Sequence, residues 1–204
     1  MNYHKIHSPF KRDPNNGNKF TKEWSHPVLE WLSDKKDFWT WSQKLDGTNV
    51  WVTAGDMGGK TENSTTLTQH PELALCLEDI QARIQREGYT WLRLYGEGIG
   101  PKIQGNFEKR PKQVVEIFDA QTTTGRWLDA AEYHEVMTRL GLTGITVPRI
   151  PFTASLQDFI KSCALEAPPA RVTYEGYVLR PRHELMSSMG RVIVKVKYKD
   201  FVDV

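Results

Sequence analysis

Residues 37–54 read DFWTWSQKLDGTNVWVTA. Two runs rich in aromatic and β-branched residues flank Asp46-Gly47, which predicts a strand, a turn and a second strand. The centre of this stretch supports two readings. Asp-Gly between apolar runs is a strong hairpin signal in its own right. The same residues, Gln43-Lys44-Leu45-Asp46-Gly47, also set a lysine at the end of the first strand, where it could act as a nucleophile. A free lysine has a pKa near 10.4, so only about one in a thousand is neutral near pH 7.4. A nucleophilic lysine therefore needs nearby positive charge, a metal or desolvation.

The C-terminal end offers such charge. Residues 191–198 (RVIVKVKY) alternate as a strand, so Lys195 and Lys197 share one face, about 7 Å apart. They suit either a lysine-protected edge strand or the binding of a polyphosphate. Two glutamates sit beside glycines at strand ends: Glu97 in Tyr95-Gly96-Glu97-Gly98, and Glu175 in Glu175-Gly176-Tyr177-Val178. Glycine there lets a ligand or another backbone come close. A metal, a ribose hydroxyl or plain solvent would each account for such a carboxylate. Residues 96–105 are glycine-rich but lack the spacing of a P-loop.

The remaining pattern is mixed. Residues 11–20 (KRDPNNGNKF) read as a loop. Leu73, Leu77, Ile80 and Ile84, between Pro71 and Gly88, predict an amphipathic helix over 71–88. Residues 90–96, 113–120 and 171–180 read as strands. Residues 128–140 read as a helix stopped by Gly141. Residues 155–165 read as a helix capped by Ser155, with Asp158 three residues on. Many strands with inserted helices and few parallel crossovers imply an α+β fold. No linker divides the chain, so residues 1–204 are expected to form a single domain.

Composition narrows the function classes. With 27 Lys+Arg against 25 Asp+Glu the net charge is +2, so any nucleic-acid affinity must come from a local basic face. Cys76 and Cys163 suit small core positions on helices and exclude a disulfide scaffold. No apolar run approaches the roughly 18 residues of a membrane span, and the N-terminus has no secretory h-region. A soluble protein of the reducing cytoplasm is expected.

Taken together, the motifs resemble those of the covalent nucleotidyltransferases: ATP-dependent DNA and RNA ligases and mRNA capping enzymes. Lys44-Leu45-Asp46-Gly47 resembles motif I (KxDG), Tyr95-Gly96-Glu97 motif III, and Glu116-Ile117-Phe118-Asp119 motif IIIa. Glu175-Gly176-Tyr177-Val178 resembles motif IV and Lys195-Val196-Lys197 motif V. All five stand in the family's order. Within it, the chain is similar to the RNA ligase branch, especially its bacteriophage and bacterial members. Thr48-Asn49 follows Gly47 where DNA ligases and capping enzymes usually carry Arg at the second position. Gly96–Gln104 (GEGIGPKIQ) resembles that branch's GEGYGPKIQ, and Tyr3-His4-Lys5-Ile6 and Phe10-Lys11-Arg12-Asp13 resemble its opening. The chain departs at Gln43, where many relatives have Glu, and at Lys60, where many have Arg, a change that keeps the charge but loses the bidentate fork.

The resemblance implies a nucleotidyltransferase fold, two antiparallel sheets around a nucleotide pocket with flanking helices, and no C-terminal OB domain. It implies joining of RNA 3′-OH and 5′-phosphate ends, those of a nicked duplex included, with ATP and Mg²⁺ or Mn²⁺. In that scheme Lys44 takes AMP, Lys195 and Lys197 hold the α-phosphate, Glu97 binds the ribose and Phe118 stacks on adenine. Gln43 reads the adenine edge, Lys60 sits near phosphate, Glu175 helps hold the metal and Asp46 supports the later steps. Lys5, Lys11, Arg12, Lys102, Lys109, Arg110 and Lys112 are candidate backbone contacts. A protein partner could supply outer-domain functions. The alternatives are DNA or mixed-duplex nick sealing, and a non-catalytic RNA-end-binding module that kept the fold.

Overall fold

The computed structural model describes residues 3–61, 64–105, 109–165 and 175–200. In chain order the elements are β1 (Phe10–Asp13), β2 (Lys19–Trp24), α1 (Pro27–Leu32), β3 (Trp39–Lys44), β4 (Thr48–Thr53), β5 (Met57–Gly59), α2 (Thr66–Gln69), α3 (Pro71–Arg86), β6 (Leu92–Ile99), β7 (Val114–Thr122) and α4 (Ala130–Arg139). They continue with β8 (Ile150–Pro151), α5 (Leu156–Leu165), β9 (Gly176–Pro181), β10 (Met186–Ser187), β11 (Gly190–Arg191) and β12 (Val194–Lys197). The architecture is α+β, as expected, and every strand pair in its sheets is antiparallel. The chain divides into two compact units.

One unit holds residues 3–4 and 45–148. Its four-stranded sheet runs β5-β4-β6-β7. The α3 helix forms where the leucine and isoleucine spacing predicts it. Leu73, Leu77, Ile80 and Ile84 are essentially inaccessible and share a core with Val50, Val52, Leu92, Leu94, Val115 and Ile117. Each such side chain contributes about 1.5–3 kcal/mol on burial. Asp129 starts α4 with a full capping box to Glu132, and Tyr133, Val136 and Met137 bury its inner face.

The other unit holds residues 5–44 and 149–200. Its four-stranded sheet runs β12-β9-β3-β8. Trp39, Leu179, Val194 and Val196 pack there with Leu29 and Leu32 of α1 and Leu156, Ile160 and Cys163 of α5. Ser155 Oγ accepts the Asp158 N–H at 3.1 Å, the cap expected for α5. Cys76 and Cys163 are free thiols, the first half-buried and the second buried.

Two expectations are corrected. Asp46-Gly47 is not a hairpin turn: β3 pairs with β8 and β9, whereas β4 pairs with β5 and β6. The glycine is needed for a different reason. A Cβ at Gly47 would run into the Gly98 carbonyl oxygen and lie 2.9 Å from Glu97 Cγ. Residues 11–20 are not a loop but most of the β1–β2 hairpin. Its turn is a short 3₁₀ segment over Pro14–Asn16, capped by the Asp13 side chain and closed by left-handed Gly17. The strand expected over 171–180 is seen as β9 from Gly176; residues 171–174 lie outside the described residues.

Candidate active site

β3 ends at Lys44, β9 begins at Gly176 and β12 ends at Lys197. The register sets these three residues in one row, with Gly176 opposite both lysines. Glu175 comes just before that row. Its N–H donates to the Lys44 carbonyl at 2.8 Å, and its own carbonyl accepts the Tyr198 N–H at 3.2 Å. Its carboxylate then joins the two lysines: Lys44 Nζ donates to Oε2 and Lys197 Nζ to Oε1. Gly176 allows this close meeting. A Cβ there would collide with the Val196 carbonyl and lie 2.8 Å from Lys197 Cα.

The three side chains are only 16–20% exposed, so these pairs are less screened than ordinary surface ion pairs. Burial pushes the Glu175 carboxyl up, but hydrogen bonds and charge from Lys197 and Lys44 outweigh it and hold the group below the usual carboxylate range. Lys195 lies two residues before Lys197 on the same strand face, half-buried. Burial lowers its pKa most; the charges of Lys197 and Lys44 lower it further, against Glu175. Its backbone N–H donates to the His7 carbonyl at 2.9 Å, which ties the N-terminal segment to β12.

Four of the expected residues, Lys44, Glu175, Lys195 and Lys197, are thus brought together in one unit. Gln43 is exposed beside them on β3. Among the described residues no group of three or more His, Cys, Asp or Glu gathers to hold a metal. A divalent ion at Glu175 would take one carboxylate and complete its shell with water and phosphate oxygens. That donor set suits Mg²⁺, which keeps several waters, once the carboxylate exchanges a lysine partner for the ion.

The other unit places Asn49 on β4 opposite Glu97 on β6. Glu97 Oε1 accepts the Gly47 N–H at 3.1 Å, and Asp46 Oδ2 accepts the Gly105 N–H at 3.2 Å. Motif I is thereby fastened to motif III by a carboxylate-to-backbone bond. Phe118 on β7 packs against Leu45, Ile99 and Val147 and meets the Tyr3 ring edge-on at 5.1 Å. Lys60 is exposed just after β5. Lys102, Lys109, Arg110 and Lys112 are exposed in this unit, Arg110 paired with Glu116.

Sequence reading missed two structural carboxylates. Asp119 is fully buried and accepts the Tyr3 hydroxyl at 2.6 Å. Asp200, also buried, accepts Arg12 at 2.8 Å through one oxygen and the Lys197 N–H at 3.0 Å through the other. Asp119 stood in motif IIIa, where only Phe118 received a role. Asp200 follows the motif V strand by three residues and carried no local signal.

The family model described as RNA ligase matches residues 37–197. Among curated proteins no sequence matches. An apo variant of Naegleria gruberi RNA ligase superposes with a TM-score of 0.61 at 19% identity, over 98% of this chain and 60% of that one. A variant of that enzyme with ATP and Mn gives 0.55 at 19% identity, over 98% and 63%. An archaeal ATP-dependent RNA ligase gives 0.57 at 17% identity, over 98% and 49%. At these identities the likeness is one of fold, and this chain spans about half to two thirds of each solved relative's length.

Proposed function

The chain belongs to the RNA ligase family, and from that membership we propose that it joins RNA 3′-OH and 5′-phosphate ends at the expense of ATP. The observation that carries this reading is the Lys44–Glu175–Lys197 row with Lys195 beside it. It gathers the motif I lysine, a carboxylate and two further lysines in one place, the kind of charge that phosphoryl transfer draws on.

In the proposed reaction Lys44 Nζ, having given a proton to solvent, attacks the α-phosphorus of ATP. The N–P bond forms, the bond from that phosphorus to the bridging oxygen breaks, and pyrophosphate leaves with the electron pair. An oxygen of the RNA 5′-phosphate then attacks the lysyl-AMP, the N–P bond breaks and Lys44 regains its proton. Finally the 3′-OH attacks the activated 5′-phosphorus, loses its proton and releases AMP. Lys195 and Lys197 offset the charge on the transferred phosphate; phosphoryl transfer depends mostly on such positioning and charge stabilisation. Glu97 takes the ribose, Phe118 the adenine face and Gln43 its edge, while Lys60 supports phosphate and Asp46 the later steps. Glu175 would hold a divalent ion, which supplies charge neutralisation at the phosphates when bound.

The reading extends to a single nucleotidyltransferase domain acting in RNA repair in the cytoplasm, as in the bacteriophage and bacterial branch it resembles. No helix of the described residues is long and apolar enough to cross a membrane. RNA is told from DNA only where a 2′-OH is read. The test is joining of pre-adenylylated 5′ ends to acceptors whose last two sugars are ribose or deoxyribose. Ribose acceptors are expected to join faster. Equal rates would make a DNA nick-sealing enzyme the better reading.

A further inference from the structure

The unit that carries Lys44 also contains a cleft of about 590 Å³. The N-terminal segment, the β1–β2 hairpin and the end of β12 line it. Its charged walls are Lys5, Arg12, Lys19, Lys195 and Lys197, with Asp200 the one carboxylate among the described lining residues. Both Asp200 oxygens are already engaged, by Arg12 and by the Lys197 N–H. The cleft is therefore strongly cationic, and its single acid serves to hold two of its walls together.

Arg12 is fixed in advance of any ligand. Nε donates to Ser8 Oγ at 3.0 Å and NH1 to the Asn18 carbonyl at 2.8 Å, besides the Asp200 pair. The guanidinium also lies 4.7 Å from the Phe20 ring centroid. Its NH2 group has no protein partner among the described residues. Lys195 is half-buried and, among the described residues, no carboxylate hydrogen-bonds its ammonium. A half-buried ammonium that no carboxylate hydrogen-bonds, beside the remaining NH2 group of a preset guanidinium, suits phosphate oxygens.

The geometry of displacement then selects which phosphates. Attacking nitrogen and leaving oxygen lie roughly in line across the transferred phosphorus. Lys195 and Lys197 line this cleft, and Lys44 does not. We infer that the cleft receives the β- and γ-phosphates of ATP and holds pyrophosphate as it leaves, with Arg12 and Lys5 as its ligands and Lys195 at its border with the α-phosphate. This rests on the ligase reading, and it gives the β1–β2 hairpin a part in the first step rather than in RNA binding.

The probe is inorganic pyrophosphate titrated calorimetrically into the unadenylylated full chain. Arg12→Ala should weaken binding about ten- to a hundredfold, as expected for a lost charge-assisted bond, and Lys5→Ala severalfold. Lys5 is exposed, so its replacement leaves the fold intact even if Arg12→Ala does not. Lys22→Ala removes the same charge from the hairpin outside the cleft and should bind pyrophosphate as the parent does. Unchanged affinity in both Arg12→Ala and Lys5→Ala overturns the inference. So does unchanged pyrophosphate affinity combined with slower joining of pre-adenylylated RNA, which would assign the cleft to an RNA phosphate. Absence of a lysyl-AMP adduct in the parent chain would instead refute the ligase reading, while the pyrophosphate titration would still decide the cleft.

Discussion

Lys44 and Glu175 stand 131 residues apart in the chain and form an ion pair at the end of a shared sheet. The second Glu175 oxygen takes Lys197, so one carboxylate sets the spacing of the proposed nucleophile and of a lysine proposed to bind phosphate. It also keeps two ammonium groups close together at tolerable cost, because they share its counter-charge.

That arrangement predicts a pH signature. The Glu175 carboxyl is held below its usual range, so the stability it contributes is present above the unfolded-state pKa of about 4.3 and is lost as pH falls through the lower folded value. Glu175→Gln should cost about 1–3 kcal/mol near pH 7. Thermal melts of both proteins should converge as the pH drops below about 4, and a constant gap would contradict the assignment.

Lys195 has the opposite linkage. Its folded pKa is lowered, chiefly by burial, so its charge costs stability at neutral pH, and that cost fades as pH rises toward the ordinary lysine value near 10.4. Lys195→Met should therefore raise Tm at pH 7 by about 2–4 °C while reducing AMP transfer. The Tm difference should shrink at alkaline pH.

Gly176→Ala tests the close approach that lets Glu175 reach both lysines. The added methyl meets backbone on β12, and backbone cannot step aside as a side-chain tip can. A loss of about 2 kcal/mol or more in urea unfolding is expected. A neutral result would show that the strand pair tolerates separation at this row.

Much of this was legible in the chain. The α3 helix follows from Leu73, Leu77, Ile80 and Ile84, because helical spacing is a local property and all four end up buried. The catalytic candidates came from motif order, not from local physics. The errors have a common cause. Asp46-Gly47 carries a hairpin signal, yet the strands on either side belong to different sheets, and strand partners such as β9 and β6 lie far along the chain. The polar composition of residues 11–20 hid a hairpin whose strands are held by Arg12 reaching Asp200, 188 residues away. The Glu175 bridge likewise has no local sign. Its lysines sit 131 residues before it and 22 after it, so only the sheet register reveals it.

We propose Lys44 as the nucleophile. Incubating the chain with ATP labelled in the α-phosphate and a divalent metal, followed by a denaturing gel and intact-mass analysis, measures it directly. One acid-labile adenylate per chain is predicted for the parent and none for Lys44→Ala. A labelled adduct that survives in Lys44→Ala, or a parent chain that takes no label, would contradict it.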